Sequence, residues 1–279
     1  MASKIMLFSS IETVIPMDKL RDKRIAQLYD ASVPDWPGEI DFYLGLAEPL
    51  KASRGSLLEV ACGTGRVALH LAQAGLRVVG IDRSLEMLQI ARRKSNGMAN
   101  VHWILADMRA IGLSMQFELV VIPGHSFQFM LTPADQLACL EGLKRLLKPD
   151  GTLVIHLDHQ DFSWLGALQT GKGGEFEPAG EVTDPHTGNQ VRISRAWWFQ
   201  PATQIASALT AWEELNPHGQ VLDRWERGPL HLHCAFRHEM EHLLARAGFQ
   251  VEAVYGDFSG NELNDESSEM IWLAKKNRA

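Results

Sequence analysis

Within one short stretch, Leu57 to Gly75, the residue types and their spacing suit a small charged ligand. An apolar run from Ser56 to Ala61 reaches Gly63 and Gly65, and a helical pattern begins at Arg66. Glycines in such a turn let the backbone bend sharply and lie against a ligand with no Cβ in between. The helix start beyond them offers free N–H groups to a carboxylate or phosphate. Asp82 follows Gly63 by nineteen residues, at the end of the run VVGID, where a carboxylate can accept from both hydroxyls of a ribose. Asp107, in ILADM, stands where an adenine amino group could donate to it. Gly63-x-Gly65-x-x-Ala68 also fits a dinucleotide fingerprint, which tolerates Ala at its third position. Glu59, four residues before Gly63, discriminates. An acid beside this turn repels a pyrophosphate and attracts a positively charged amino-acid moiety.

The elements that must position these residues alternate between strand and helix, the signature of βαβ units and a parallel sheet. Strands are expected at Ser56–Ala61, Arg77–Ile81, Val101–Leu105, Phe117–Ile122 and Thr152–Leu157. Helices are expected over Arg66–Ala74, closed by Gly75, after the cap Ser84, and through Leu137, Leu140, Leu143, Leu146 and Leu147. Lys148-Pro149-Asp150-Gly151 reads as a turn. Residues 1–55 are expected to form an N-terminal helical cap and 56–159 the nucleoside-binding core. Residues 160–235 change character. Gly171, Gly173 and Gly174 mark a loop, and VRISRAWWF, IASALTAWEEL and Arg224–Cys234 read as an inserted antiparallel β lid. Residues 236–279 return to a helix from Arg237 to Ala247 and strands near Val251–Tyr255 and Met270–Ala274, completing the core sheet.

The pieces LLEVACGTGR, VVGIDRSLEMLQIARRK, ILADMRAI, FELVVIPGHSFQFM and LKPDGTLVIHL, in this order, resemble the class I S-adenosylmethionine-dependent methyltransferases, in particular their small-molecule branch. The resemblance covers about residues 56–158, and extends weakly to the stretch Tyr29–Tyr43 and to the C-terminal pieces HLLARAGFQVEAVYG and EMIWLAKK. It implies a Rossmann-like α/β fold: a seven-stranded, mostly parallel sheet with helices on both faces and an antiparallel β insertion. It implies S-adenosylmethionine as cofactor. Glu59, Ala61, Gly63 and Gly65 would surround the methionine part, with Arg66 closing that motif. Asp82 would hold the ribose, and Arg83 and Met87 would flank the adenine. Asp107 and the backbone of Met108 would read the adenine edge. Pro123 and Gly124 would lie beneath the sulfonium, and Tyr29 would be the aromatic that closes over the cofactor. Ala61 departs from the glycine that many relatives carry.

Methyl transfer from a sulfonium is an in-line displacement, so the protein mainly supplies position and desolvation. A base is needed only where the nucleophile must lose a proton. Ligands bind outside the carboxyl ends of the strands in such sheets, which singles out His125, Ser126, Phe127, His156, Asp158 and His159. Of these, His125 and His159 are the candidate bases. In the insert, Trp197, Trp198, Trp212 and Trp225, with Arg195, Arg224, His231 and His233, suit either a substrate-facing aromatic pocket or the insert's own core.

A second motif competes. His238-Glu239-Met240-Glu241-His242 is a literal H-E-x-x-H, and Glu262 lies twenty residues on, as in a zinc peptidase. On a helix, however, Met240, Leu243, Leu244 and Ala247 form the apolar face and both histidines fall opposite it. No metal is therefore expected. The other rivals are an NAD-dependent oxidoreductase using the same turn, and a non-catalytic S-adenosylmethionine-binding protein.

The whole chain of 279 residues carries a net charge of −7, with 46% apolar and 22% charged residues, as in a soluble globular protein. An acidic chain gains nothing from neutralising phosphates, which disfavours nucleic-acid and anionic-membrane partners. The three cysteines are scattered, and the N-terminal segment lacks a signal-peptide pattern, so a reduced, cytoplasmic setting is expected. The expected partner is a small-molecule acceptor, with the chain a monomer or homodimer.

Overall fold

The computed structural model describes residues 17–33, 36–53, 55–169 and 173–277. The first sixteen residues of the expected cap, Pro34 and Asp35 of the aromatic stretch, and Gly171 of the expected loop lie outside them. The described cap is two helices, α1 (Met17–Ser32) and α2 (Glu39–Ser53).

The βαβ pattern then unrolls as β1 (Ser56–Val60), α3 (Arg66–Gln73), β2 (Arg77–Asp82), α4 (Leu85–Lys94), β3 (Val101–Leu105), β4 (Phe117–Ile122), α5 (Pro133–Leu146) and β5 (Leu147–Asp158). A 3-10 turn, Ser126–Phe129, follows β4, and a short helix α6 (Phe162–Ala167) follows β5. Ser84 caps α4 by accepting from the Met87 N–H at 3.2 Å, and Thr132 caps α5 by accepting from the Asp135 N–H at 3.1 Å with Pro133 behind it. The chain closes with α7 (Arg237–Arg246), β10 (Phe249–Tyr255) and β11 (Glu269–Lys276).

These strands form one seven-stranded sheet in the order β10-β11-β5-β4-β1-β2-β3. Strands β1 to β5 are mutually parallel, and β11 runs antiparallel to both β5 and β10. The sheet is buried on both faces, which is why its strands read as apolar runs rather than alternating ones. Leu58, Val60, Val120 and Ile155 face α5 and α7 through Leu140, Leu143, Met240 and Leu244. Their neighbours Leu57, Leu119, Val121 and Val154 face α2 and α3 through Tyr43, Ala47, Val67 and Leu71.

Lys148–Gly151 departs from expectation. The structure includes it in β5, where the pairing slips from Phe117↔Leu147 to Leu119↔Thr152. The turn-forming residues are absorbed as a bulge, because β4 pairs on both sides of them. The insert also has one more strand than expected. It is a meander of β6 (Phe176–Thr183), β7 (Gln190–Gln200), β8 (Ile205–Leu215) and β9 (Val221–His233). β6 was not legible in FEPAGEVT, whose residues are nearly all exposed on an edge strand.

One face of this second sheet points inward. Val191, Ile193, Trp212 and Trp225 pack on Leu28 and Ile25 of α1, and at the other end Trp197, Phe199 and Ala206 pack on Leu165 of α6. Trp212 and Trp225 are stacked 6.1 Å apart and buried, so these two form the insert's core. Trp197 leans edge-on against Trp164, while Trp198 is exposed. The three cysteines are all free and buried.

Candidate active site

The glycine turn between β1 and α3 divides its work among its residues. Ala61 adopts φ 56°, Gly63 53° and Gly65 81°. Ala61 therefore holds the left-handed conformation that glycine favours. A Cβ on Gly65 would stand 2.6 Å from the Trp103 ring, so this glycine is required by packing. A Cβ on Gly63 would meet only Tyr29, at 3.9 Å, so this is where the backbone stays open beneath the α1 aromatic. The sequence points to ligand approach at both glycines; Gly65 is in addition held by packing, and Gly63 has open space beside it.

Two acids flank the turn. The Asp82 carboxylate accepts from the Gly63 N–H at 2.7 Å and the Ser84 N–H at 2.8 Å, pinning the turn and the start of α4 together. Glu59 is buried, and its Oε2 has no hydrogen-bond partner. Burial pushes its carboxyl up to about 8, against the opposing pull of Arg66 and of the Ala68 N–H. An orphaned buried carboxylate oxygen at a glycine turn is costly unless a cation meets it, so this site fits the ammonium end of an amino-acid-bearing cofactor.

Other expected contacts are engaged within the protein. Arg66 forms a salt bridge with the buried Glu39, with one contact at 3.0 Å, and lies over Trp36, tying α3 to α2. Arg109 grips Asp107 through both carboxylate oxygens, at 2.6 to 3.1 Å, which holds Asp107 below the usual carboxylate range. Arg83 is exposed, Met87 half-buried, Met108 packed against the core and Pro123 buried.

The carboxyl ends of β4 and β5 converge on Glu269, the first residue of β11. Glu269 Oε2 lies 2.6 Å from His125 Nε2 and 2.7 Å from His156 Nε2, while its Oε1 accepts from Trp36 Nε1 at 3.2 Å. The tautomers follow from the partners. The Gly124 N–H donates to His156 Nδ1 at 3.2 Å, so the proton of His156 is on Nε2 and points at Glu269. His156 has no exposed side-chain surface, and desolvation lowers its pKa, which keeps it neutral. His125 sits in the left-handed region at φ 61°, swung by the preceding Pro123-Gly124 to aim Nε2 at the same carboxylate. Glu269 has its pKa lowered to about 2: burial alone would raise it, and the two histidine donors outweigh that. It is ionised throughout the neutral range.

This hub is what sequence reasoning missed. His156 was noted only as a strand-end residue, and Glu269 and Trp36 carried no signal, since each is far from the others along the chain. His125, His156 and Glu269 are also the group among the described residues whose ligand atoms could surround a metal ion. The proton on His156 Nε2 argues against that use, because a metal would need that nitrogen bare. His159, the other candidate base, stands apart from the hub and donates from Nδ1 to the Ser267 carbonyl at 2.7 Å.

The H-E-x-x-H residues do not come together as zinc ligands. His238 is exposed and pairs with Glu241 at 3.1 Å, His242 is exposed, and Glu239 turns to His233 at 2.8 Å. Glu262 forms a bridge with Tyr255. Among the described residues, no helix is long and apolar enough to cross a membrane.

Comparison with known proteins identifies the family. Residues 57–151 match the family model of a methyltransferase domain. The cypemycin N-terminal methyltransferase of a Streptomyces species is 31% identical over 79% of this chain and 83% of its own. The dTDP-3-amino-3,6-dideoxy-alpha-D-glucopyranose N,N-dimethyltransferase of Streptomyces fradiae is 33% identical over 47% of this chain and 52% of its own. Among solved structures, the CcbJ methyltransferase of Streptomyces caelestis superposes with a TM-score of 0.73 at 22% identity, covering 92% of this chain and 97% of the other. The chain belongs to the class I S-adenosylmethionine-dependent methyltransferases. It is a transferase that uses S-adenosylmethionine, and the peptidase and oxidoreductase readings fall away.

Proposed function

We propose that the chain methylates an amine nitrogen of a small-molecule acceptor, with His125 as the base that frees the nitrogen lone pair. The observation that carries this reading is the 2.6 Å contact of His125 Nε2, just past β4, with an ionised, half-buried Glu269. A carboxylate can only accept, so the His125 proton lies on Nε2 and Nδ1 is left as the basic nitrogen. The same logic orients the histidine of a hydrolase triad. Glu269 is then a positioning residue, fixed in turn by Trp36 and His156.

S-adenosylmethionine, when bound, supplies an electrophilic methyl group on a sulfonium. Glu59, Gly63 and Asp82 are the residues proposed to hold it, with Tyr29 above the turn. An alkylammonium, with a pKa of about 10, has no lone pair at neutral pH and must first give up a proton. His125 Nδ1 takes that proton. The two relatives above are named for nitrogen acceptors, an amino sugar nucleotide and a peptide terminus. The four-stranded sheet roofs the strand tips from α1 to α6, which favours a small acceptor.

The test is transfer of a labelled methyl group to a panel of amino sugars and short amines, with the product located by NMR. Label should appear on nitrogen. His125→Asn should lower kcat by about a hundredfold, within the usual worth of a positioned base. Glu269→Gln should lower it less, with cofactor affinity intact in both. Label found only on oxygen, or unchanged turnover in His125→Asn, defeats the reading.

A further inference from the structure

The inward face of the four-stranded sheet has a charged centre between two apolar ends. Pairing registers place Arg195 of β7 directly across from Thr210 of β8, one row beyond the Ile193–Trp212 pair and one row before Trp197–Ala208. The Ile193–Trp212 row covers α1, and the Trp197–Ala208 row leads to the cluster on α6. Arg195 therefore faces the gap between α1, which carries Tyr29 over the glycine turn, and α6, which follows the tip of β5.

Arg195 is also unlike the other arginines of that sheet. Arg192 pairs with Glu181 and Glu213, Arg224 with Glu213 and Glu226, and Arg227 with Asp22. Among the described residues, the Arg195 side chain has no ion pair or hydrogen-bond partner. Glu177 stands across from it on edge strand β6 without pairing to it. Arg195 is an exposed residue, and desolvation by the protein around its guanidinium lowers its pKa from the usual arginine range. An unpaired guanidinium on the inward face of the sheet offers a fork of N–H donors that suits a carboxylate or phosphate.

We infer that Arg195 is the seat for an anionic group of the acceptor, a carboxylate or phosphate, held on the roof of the crevice while the amine lies at the strand tips below. The inference rests on the reading of that crevice as the acceptor site. It names a substrate class, an amine that also carries an anion, and makes the inserted sheet a specificity element as well as a cover. Thr210, directly across from Arg195 on β8, is the natural second donor.

The test uses the whole chain saturated with S-adenosylhomocysteine and titrated with inorganic pyrophosphate and with citrate at constant ionic strength, followed by calorimetry. The wild type should bind at least one of them saturably. Arg195→Gln should weaken that binding by about tenfold or more, Arg195→Lys should fall between, and Arg192→Gln, which alters a paired surface arginine, should match the wild type. Absence of saturable binding in the wild type, or equal binding in Arg195→Gln, overturns the inference. Should Arg195→Gln fail to fold, Arg195→Lys binding as tightly as the wild type overturns it equally. Failure of the wild type to bind S-adenosylhomocysteine is a separate result, and it would sink the methyltransferase reading instead.

Discussion

Glu59 works against the stability of the free protein. Its carboxyl is raised from the ordinary 4.5 to about 8 by burial, with Oε2 left unpartnered. A group raised in this way contributes stability that is present below its unfolded pKa and lost as pH rises through the folded one. Glu59→Gln should therefore melt higher than the wild type when free of cofactor. The gap should open from pH 4.5 to about 8 and level off above, as differential scanning calorimetry across that range would check. The same substitution should weaken cofactor binding, because a neutral amide cannot pair with an ammonium. In the wild type, cofactor affinity should rise by roughly tenfold per pH unit from pH 6 towards 8, since binding selects the ionised carboxylate. A pH-independent affinity would show that Glu59 is not the ammonium partner. Stability is given up here for a charge in the right place.

The turn joining β1 to α3 shows how one element meets two demands. Gly65 is fixed by Trp103, which fills the space a side chain would need, and Gly63 is fixed by its own left-handed backbone beneath Tyr29. Gly65→Ala combines that backbone with a contact of 2.6 Å, so it should destabilise the chain by about 2–3 kcal/mol. Gly63→Ala meets nothing nearer than 3.9 Å, so it should cost about 1 kcal/mol and act mainly on cofactor affinity. Chemical denaturation paired with cofactor titration separates the two. Equal stability losses would mean that the Trp103 contact relaxes freely. The motif's spacing was readable in the sequence because glycine adopts such backbones at least cost. The division of labour was not, because Trp103 reaches the turn from β3.

At the scale of the whole molecule, α1 links the four-stranded sheet to the glycine turn of the core. Arg24 forms salt bridges with Glu214 and with Asp223, the latter at 3.1 Å, and lies 3.9 Å over the Trp225 ring. One turn further along α1, Leu28 inserts among Val191, Ile193 and Trp212, and Tyr29 reaches the glycine turn. At the far side, Gln128 of the 3-10 turn donates to the His233 carbonyl of β9 at 3.2 Å. The four-stranded sheet is thus tied to the rest of the chain at both α1 and the 3-10 turn. Arg24→Ala leaves Glu214 without its cation and Trp225 without its cover, which should cost about 2 kcal/mol. Because the loss falls on the docking of α1, it should also raise the cofactor KM through Tyr29 while leaving the parallel sheet intact. Hydrogen exchange should show faster opening of α1 and β7–β9 and unchanged protection of β1, β4 and β5. Uniform loss of protection would mean that roof and core unfold as one unit.

What the sequence determined by itself was everything governed by local order. The strand–turn–helix rhythm, the cap at Ser84 and the apolar runs of a doubly covered sheet each depend on residues a few positions apart, so their spacing carries the information. The glycine turn and the acid before it belong to the same class, and the family resemblance rested on them. Where an edge strand had no core to face, as in β6, or a neighbouring strand captured a turn, as at Lys148–Gly151, local order misled. The hub of Trp36, His125, His156 and Glu269 was invisible for a different reason: its members come from four segments separated by up to 233 residues. Only the antiparallel docking of β11 beside β5, and the placement of Trp36 just before α2 against them, brings their donors to one carboxylate. Convergence of side chains is a property of packing, and no spacing along the chain encodes it.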